Sequence, residues 1–147
     1  MHSKLIHQSP DGQRTFVVVL ETGDEVASQI KAFADREKLK AAQLTAIGAF
    51  SDAVLGYFDW GRKDYDRIEV REQVEVLSLL GDFAFDGEHV KLHAHAVLGR
   101  RDGSACGGHL LAAKVRPTLE VIVTQSPGYL ARAHDPVSRL ALIRLDR

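Results

Sequence analysis

The chain has 147 residues, 45% of them apolar and 27% charged, a composition and length that fit one globular domain over 1–147, able to bury about 70% of its unfolded surface and to fold without disulfides. The formal net charge of -1 excludes the overall basic balance by which nucleic-acid binders neutralise phosphates. No apolar run approaches the ~20 residues of a membrane span, residues 1–11 are polar without a signal-peptide core, and the single cysteine, Cys106, excludes an intrachain disulfide, so the expected setting is the reducing cytoplasm.

Residues 14–20 (RTFVVVL) are β-branched and apolar on both faces, which predicts an interior strand. Thr22 and Glu25 have capping-box spacing ahead of Val26, Ala27, Ile30, Phe33 and Ala34, so one helix is expected over 24–39. Strands are expected at 44–50 and 53–58, either side of a Ser51-Asp52 kink, and at 73–80. Residues 90–98 alternate strictly, with Val90, Leu92, Ala94, Ala96 and Leu98 on one face and Lys91, His93, His95 and Val97 on the other. Arg101-Asp102-Gly103-Ser104 signals a hairpin turn. Strands at 119–124 and 140–145 follow, the last closing the sheet. Asp135-Pro136 has the form of a helix N-cap and first-turn proline. One helix on a largely antiparallel sheet is an α+β arrangement.

The chemistry concentrates in the hairpin. His93 and His95 are two apart on a strand, so both leave the same face with Cα atoms about 6.8 Å apart. Such imidazoles can converge on one ion, and a third histidine, His109, lies on the return strand. Three neutral imidazoles plus water form a common zinc or iron site. Histidines on the polar face of a strand are ordinarily just solvated; His109 and the adjacent Gly107-Gly108 lift the pattern above that. Register sets a condition. A strict two-residue turn at Asp102-Gly103 would pair Arg101 with Ser104 and put His109 opposite Ala96, on the wrong face. A shared ion therefore requires a one-residue shift, from a longer loop or from a bulge at the diglycine, so irregularity is expected between Gly103 and His109.

Other candidates are weaker. Glu75 and Glu120 lie on apolar-rich strands, where a buried carboxylate needs a raised pKa or a partner such as Arg116. Cys106 reads as packing, and Ser51 and Ser104 lack a nucleophile-elbow context. Tyr57, Phe58 and Trp60 could stack a ligand, although a core edge or subunit contact is the commoner use of such a group.

These residues resemble the plant-and-prokaryote-conserved (PPC) domain in its stand-alone prokaryotic form. The matching pieces are residues 20–26 (LETGDEV), 47–53 (IGAFSDA), 75–81 (EVLSLLG), His93-Ala94-His95, Gly107-Gly108-His109-Leu110 and Thr118-Leu119-Glu120-Val121. They run in the family's order over about 14–125, and the two histidine motifs are its most specific mark. The resemblance implies a strongly bent antiparallel sheet with a helix, assembled as a homotrimer. In plants the domain is joined to AT-hook segments that grip the DNA minor groove, and prokaryotic members carry a DNA-binding label on that account. This chain has no Arg-Gly-Arg-Pro core, and fold alone does not transfer the label. The hairpin is also similar to that of acetolactate decarboxylase, where a His-x-His and a later His hold zinc; by that likeness His93, His95 and His109 are the metal ligands. The expected function is metal and small-ligand binding or regulation, with DNA association and a metal-dependent decarboxylase or lyase as the alternatives.

Overall fold

The computed structural model describes residues 1–86, 89–126 and 130–145. Nine strands and one helix follow in the order β1 (His2–Gln8), β2 (Arg14–Glu21), α1 (Val26–Arg36), β3 (Ala42–Asp59), β4 (Asp64–Val70), β5 (Val74–Asp86), β6 (His89–Gly99), β7 (Ala105–Gln125), β8 (Ala131–His134) and β9 (Ala141–Arg144). The expected α+β class holds as a largely antiparallel, mixed sheet with one helix among the described residues. The parallel exception is β5 with β8. None of the helices described is long and apolar enough to cross a membrane.

Four strands do most of the positioning. β3 pairs with β5 and β7, and β6 bridges the other sides of β5 and β7, so the four close into a ring. Ring closure demands sharp bending, and the pairing shows where it occurs. The two segments expected either side of Ser51-Asp52 are one 18-residue strand, β3, whose register against β7 shifts at Gly48/Phe50, Phe50/Asp52 and Val54/Leu55. Each shift is an irregularity of the ladder, of the kind bulges produce, that turns the strand without ending its pairing. The segment expected at 119–124 is likewise the end of the 21-residue β7, which pairs first with β6 and then with β3 and β2.

The buried face of the sheet meets α1. Phe16, Val18 and Leu20 of β2 point inward with Leu119, Val121 and Val123 of β7, and Phe16 meets Phe33 of the helix edge to face at 5.3 Å between centroids. Burying a side chain such as Phe33 stabilises the fold by about 1.5–3 kcal/mol. The helix begins later than its expected start. Gly23, at φ +93°, donates its N–H to the Val115 carbonyl at 2.9 Å, which ties the entry to β7 rather than to the helix. Glu25 is then itself the cap, accepting from the N–H groups of Ala27 and Ser28 at 3.3 and 2.8 Å. Thr22 donates instead to the Pro117 carbonyl at 3.2 Å, so the expected capping box does not form.

Two further expectations fail. Asp135-Pro136 opens no helix, because only six residues separate β8 from β9; the Asp135 carboxylate holds a turn by accepting from the Ser138 N–H at 2.8 Å and hydroxyl at 2.7 Å. Among the described residues the C-terminal strand, β9, pairs only with β8 and lies at the sheet edge rather than closing it.

Gly48 is the tightest of the bends. Its φ is +150°, and a Cβ there would lie 2.2 Å from the Thr118 carbonyl oxygen, a backbone atom that cannot step aside. Gly48→Ala is therefore expected to lower stability by about 1–3 kcal/mol, read as a fall in the urea midpoint. An unchanged midpoint would show that the bend tolerates a side chain.

Candidate metal centre

The site begins with the turn. The Arg100 N–H donates to the Ser104 carbonyl at 2.8 Å and the Gly103 N–H to the Arg100 carbonyl at 3.0 Å. The loop therefore holds three residues, 101–103, and Gly103 takes the left-handed conformation this loop needs, at φ +84°. Gly99 then pairs with Ala105, and the ladder runs without a break to His95 opposite His109. The one-residue shift lies in the turn, not at the diglycine, which is paired regularly with Val97 and Ala96. The diglycine serves close strand approach instead. A Cβ on Gly108 would lie 2.8 Å from the Gly56 carbonyl oxygen, and one on Gly107 3.1 Å from that of Ala96.

With this register the three histidines meet. Their ring centroids form a near-equilateral triangle of 5.2 Å (His93–His95), 5.1 Å (His93–His109) and 5.3 Å (His95–His109). One nitrogen from each lies within 4.8 Å of the others, and the Nε2 atoms of His93 and His95 are 3.3 Å apart. His109 is half-buried, and its Nδ1 is enclosed without a partner. Burial, then the proximity of His93 and His95, pushes the His109 pKa down to about 4. Burial, then Arg132, also lowers that of His93, against the opposing pull of Asp82. Both shifts favour neutral rings, the state in which imidazole is a ligand. His95 stands exposed, leaving one side of the triangle open.

Neighbouring groups fix the rings. Asp82 sits opposite His93 in the β5–β6 ladder and places a carboxylate oxygen 3.8 Å from His93 Nδ1. Arg132 of β8 pairs with the same carboxylate and reaches within 3.5 Å of that nitrogen. Tyr65 of β4 stacks on His109 at 4.9 Å and 23°. It reaches there over Gly56, where a Cβ would lie 2.7 Å from the Tyr65 ring. Asp82, Arg132, Tyr65 and Gly56 were not singled out by sequence reasoning; Gly56 inside a strand was the one available signal of a close approach.

The sequence profile of the Plants and Prokaryotes Conserved (PCC) domain, the family also written PPC, matches residues 7–127. The chain belongs to this family. A metal-containing protein of Archaeoglobus fulgidus is 36% identical to this PCC domain, with 89% of this chain and 93% of that one covered and a TM-score of 0.83. A candidate DNA-binding protein of Bacteroides thetaiotaomicron is 29% identical, with 90% and 93% covered and a TM-score of 0.87. A PPC protein of Pyrococcus horikoshii is 27% identical, with 91% and 93% covered and a TM-score of 0.85. The bifunctional protein GlmU of Synechococcus sp. (strain JA-3-3Ab) is 27% identical over 137 residues, which make up 91% of this chain and 21% of that protein. The PCC chain thus spans about a fifth of the length of that curated relative.

Among the described residues of the PCC domain, His93, His95 and His109 are the group able to share an ion. The other candidates fall elsewhere. Glu75 and Glu120 are exposed, so the reading of buried carboxylates needing Arg116 is corrected: both strands turn these residues outward from the core. Cys106 is half-buried and packs against the core. The hydroxyls of Ser51 and Ser104 donate to the neighbouring Asp52 and Asp102 carboxylates. Phe58 is the link in a run of edge-on rings, 6.4 Å from Trp60 and 5.4 Å from Tyr65, and through Tyr65 this aromatic run ends on His109.

The lowered histidine pKa values have a signed consequence for the metal-free protein. An unfolded histidine binds its proton near pH 6.5, whereas folded His109 binds it only near pH 4. Between those values the unfolded chain holds more protons, so stability is full above pH ~6.5 and falls as pH drops toward ~4. With a chelator present, the urea midpoint is expected to fall between pH ~7 and ~4.5, and to fall less in His109→Phe. Equal slopes in the two proteins would mean that His109 carries no proton penalty.

Proposed function

We propose that this PCC domain binds a divalent transition metal, zinc foremost, through His93, His95 and His109, and acts as a homotrimer with a small-ligand-binding or regulatory role. One observation carries the proposal: three imidazoles meet across β6 and β7 with nitrogens within 4.8 Å of one another. The donor set fits the ion. Three imidazole nitrogens with one open side match the pattern of zinc sites that keep a position for water or ligand, and the enclosed Nδ1 of His109 has no hydrogen-bond partner among the described residues. The A. fulgidus relative described as metal-containing supports the same reading.

The protein's own residues supply order around such an ion. Tyr65 holds the His109 ring by stacking, the Asp82 carboxylate lies 3.8 Å from His93 Nδ1, and exposed His95 leaves an approach for ligand. A bound zinc would supply Lewis acidity there. The trimer draws support from the outer sheet face, where Ile47, Leu77, Leu80 and Ile122 are exposed. Leu80 is the cross-strand neighbour of His95, so a subunit contact on this face would lie beside the metal centre.

Protein purified without a histidine tag is expected to carry about one equivalent of transition metal per chain, to lose it in His93→Ala/His95→Ala, and to sediment at three times the 16.2 kDa chain mass. Less than about a third of an equivalent in wild type, or equal metal in the variant, contradicts the metal assignment; a monomer mass contradicts the trimer.

A second reading follows the candidate DNA-binding relative, and makes the domain a DNA-associated regulator. It requires duplex affinity that weakens steeply with salt. The net charge of -1 leads us to expect no mobility shift of duplex DNA at low ionic strength with tens of micromolar protein. A salt-sensitive shift would favour this second reading.

A further inference from the structure

We infer that the β8–β9 hairpin is a hinged strap that opens as a unit and controls access to one side of the histidine triad. The inference rests on the metal centre proposed above for its function, although the strap itself is built without an ion. The hairpin lies beyond residues 7–127, the region that matches the PCC family, and it holds itself together. Four residue pairs join β8 to β9. In the turn the Asp135 carboxylate accepts from Ser138, and the Asp135 N–H donates to the Leu140 carbonyl at 2.8 Å. The Arg132 guanidinium crosses the hairpin to the Ala141 carbonyl at 3.2 Å.

Its attachment to the rest of the sheet is slight by comparison. Among the described residues β8 pairs with β5 at two positions, Phe85 with Ala131 and Asp86 with Arg132, and the Phe85 N–H donates to the Leu130 carbonyl at 2.7 Å. The ion pair between Arg132 and Asp82 is the latch. Of residues 131–144 only Ser138, in the turn, is buried, while Val137, Leu142 and Ile143 are exposed. A segment with so little buried apolar surface opens at a fraction of the global unfolding free energy. Docking also leaves Arg132 Nε enclosed without an acceptor, a cost that water removes on opening. What the hairpin covers gives the opening a use. Arg132, Leu140, Ala141 and Leu142 form one wall of a cleft of about 160 Å³ whose other side includes His93 and His109. Swinging on the Phe85–Asp86 attachment, the hairpin uncovers that side of the triad, whereas His95 is exposed on the other.

The test is native-state hydrogen exchange on the full-length protein, as purified and again with chelator. Carbethoxylation by diethyl pyrocarbonate, read with chelator present, serves as the small probe of imidazole access. In wild type, amides of 131–144 are expected to exchange at least about tenfold faster than those of the β6–β7 ladder, at rates insensitive to low urea. His95 is expected to react well before His109. Asp82→Asn leaves the Arg132 guanidinium buried without its counter-charge, and the charge reaches water by leaving with the hairpin. Hairpin exchange and His109 modification are therefore expected to rise together by about tenfold in this variant, with β6–β7 protection unchanged. Hairpin amides as protected as the ladder in wild type overturn the strap, and this outcome decides the matter if the variant does not fold. Unchanged hairpin exchange in Asp82→Asn overturns the latch. Faster exchange with unchanged His109 modification overturns the control of access, because the hairpin would then cover nothing. None of these outcomes depends on bound metal; the zinc content of the untagged protein decides the metal centre separately, so either can fail alone.

Discussion

His95 faces His109 because the chain spends three residues, not two, in the turn between β6 and β7. The side-chain period of a strand is two, so one residue more or less in that loop would carry His109 to the opposite face of the sheet. Gly103 makes the three-residue loop inexpensive by accepting a left-handed conformation. The register then propagates through a regular ladder to the histidines, and Gly107 and Gly108 keep β6, β7 and β3 close enough for that ladder to hold. Every chemical property of the site follows from this alignment.

Convergence of three imidazoles has an electrostatic consequence that favours function. Burial first, and then the neighbouring rings about 5 Å away, disfavours protonation of His109. The fold thereby holds a neutral nitrogen donor at His109 over the pH range above its lowered pKa. The surroundings restrict motion as well: Tyr65 lies flat against His109, and the Asp82–Arg132 pair borders His93. Ligands oriented by outer partners are the usual condition of a selective metal site.

Much of this was legible in the residues themselves. The alternation of β6 displayed both histidines of one face, and the register argument named the one-residue shift but expected irregularity between Gly103 and His109, where the ladder is regular and the loop 101–103 supplies the shift instead. The β-branched run of β2 and the helical spacing from Val26 to Ala34 also announced their elements. What escaped has physical reasons. β1 is exposed throughout, β4 is largely polar, and β8 is four residues long; each is a strand because a neighbour pairs with it, not because its own pattern demands one. The bulges of β3 join segments that a period-two reading separates. Asp82, His93 and Arg132 meet across a span of 50 residues, and no spacing rule connects them. Glu75 and Glu120 misled because strands apolar on both faces were read as buried on both, whereas here one apolar face lies exposed.

That exposed face and the histidine triangle adjoin one another through Leu80 and His95, so the proposed subunit contact would lie beside the proposed metal centre. The most direct test of the account is X-ray absorption at the zinc edge on protein purified without a tag. Three imidazole nitrogens at about 2.0–2.1 Å, with a lighter fourth ligand, are the expected coordination. A spectrum lacking imidazole scattering, or carrying sulfur at about 2.3 Å from Cys106, would contradict it.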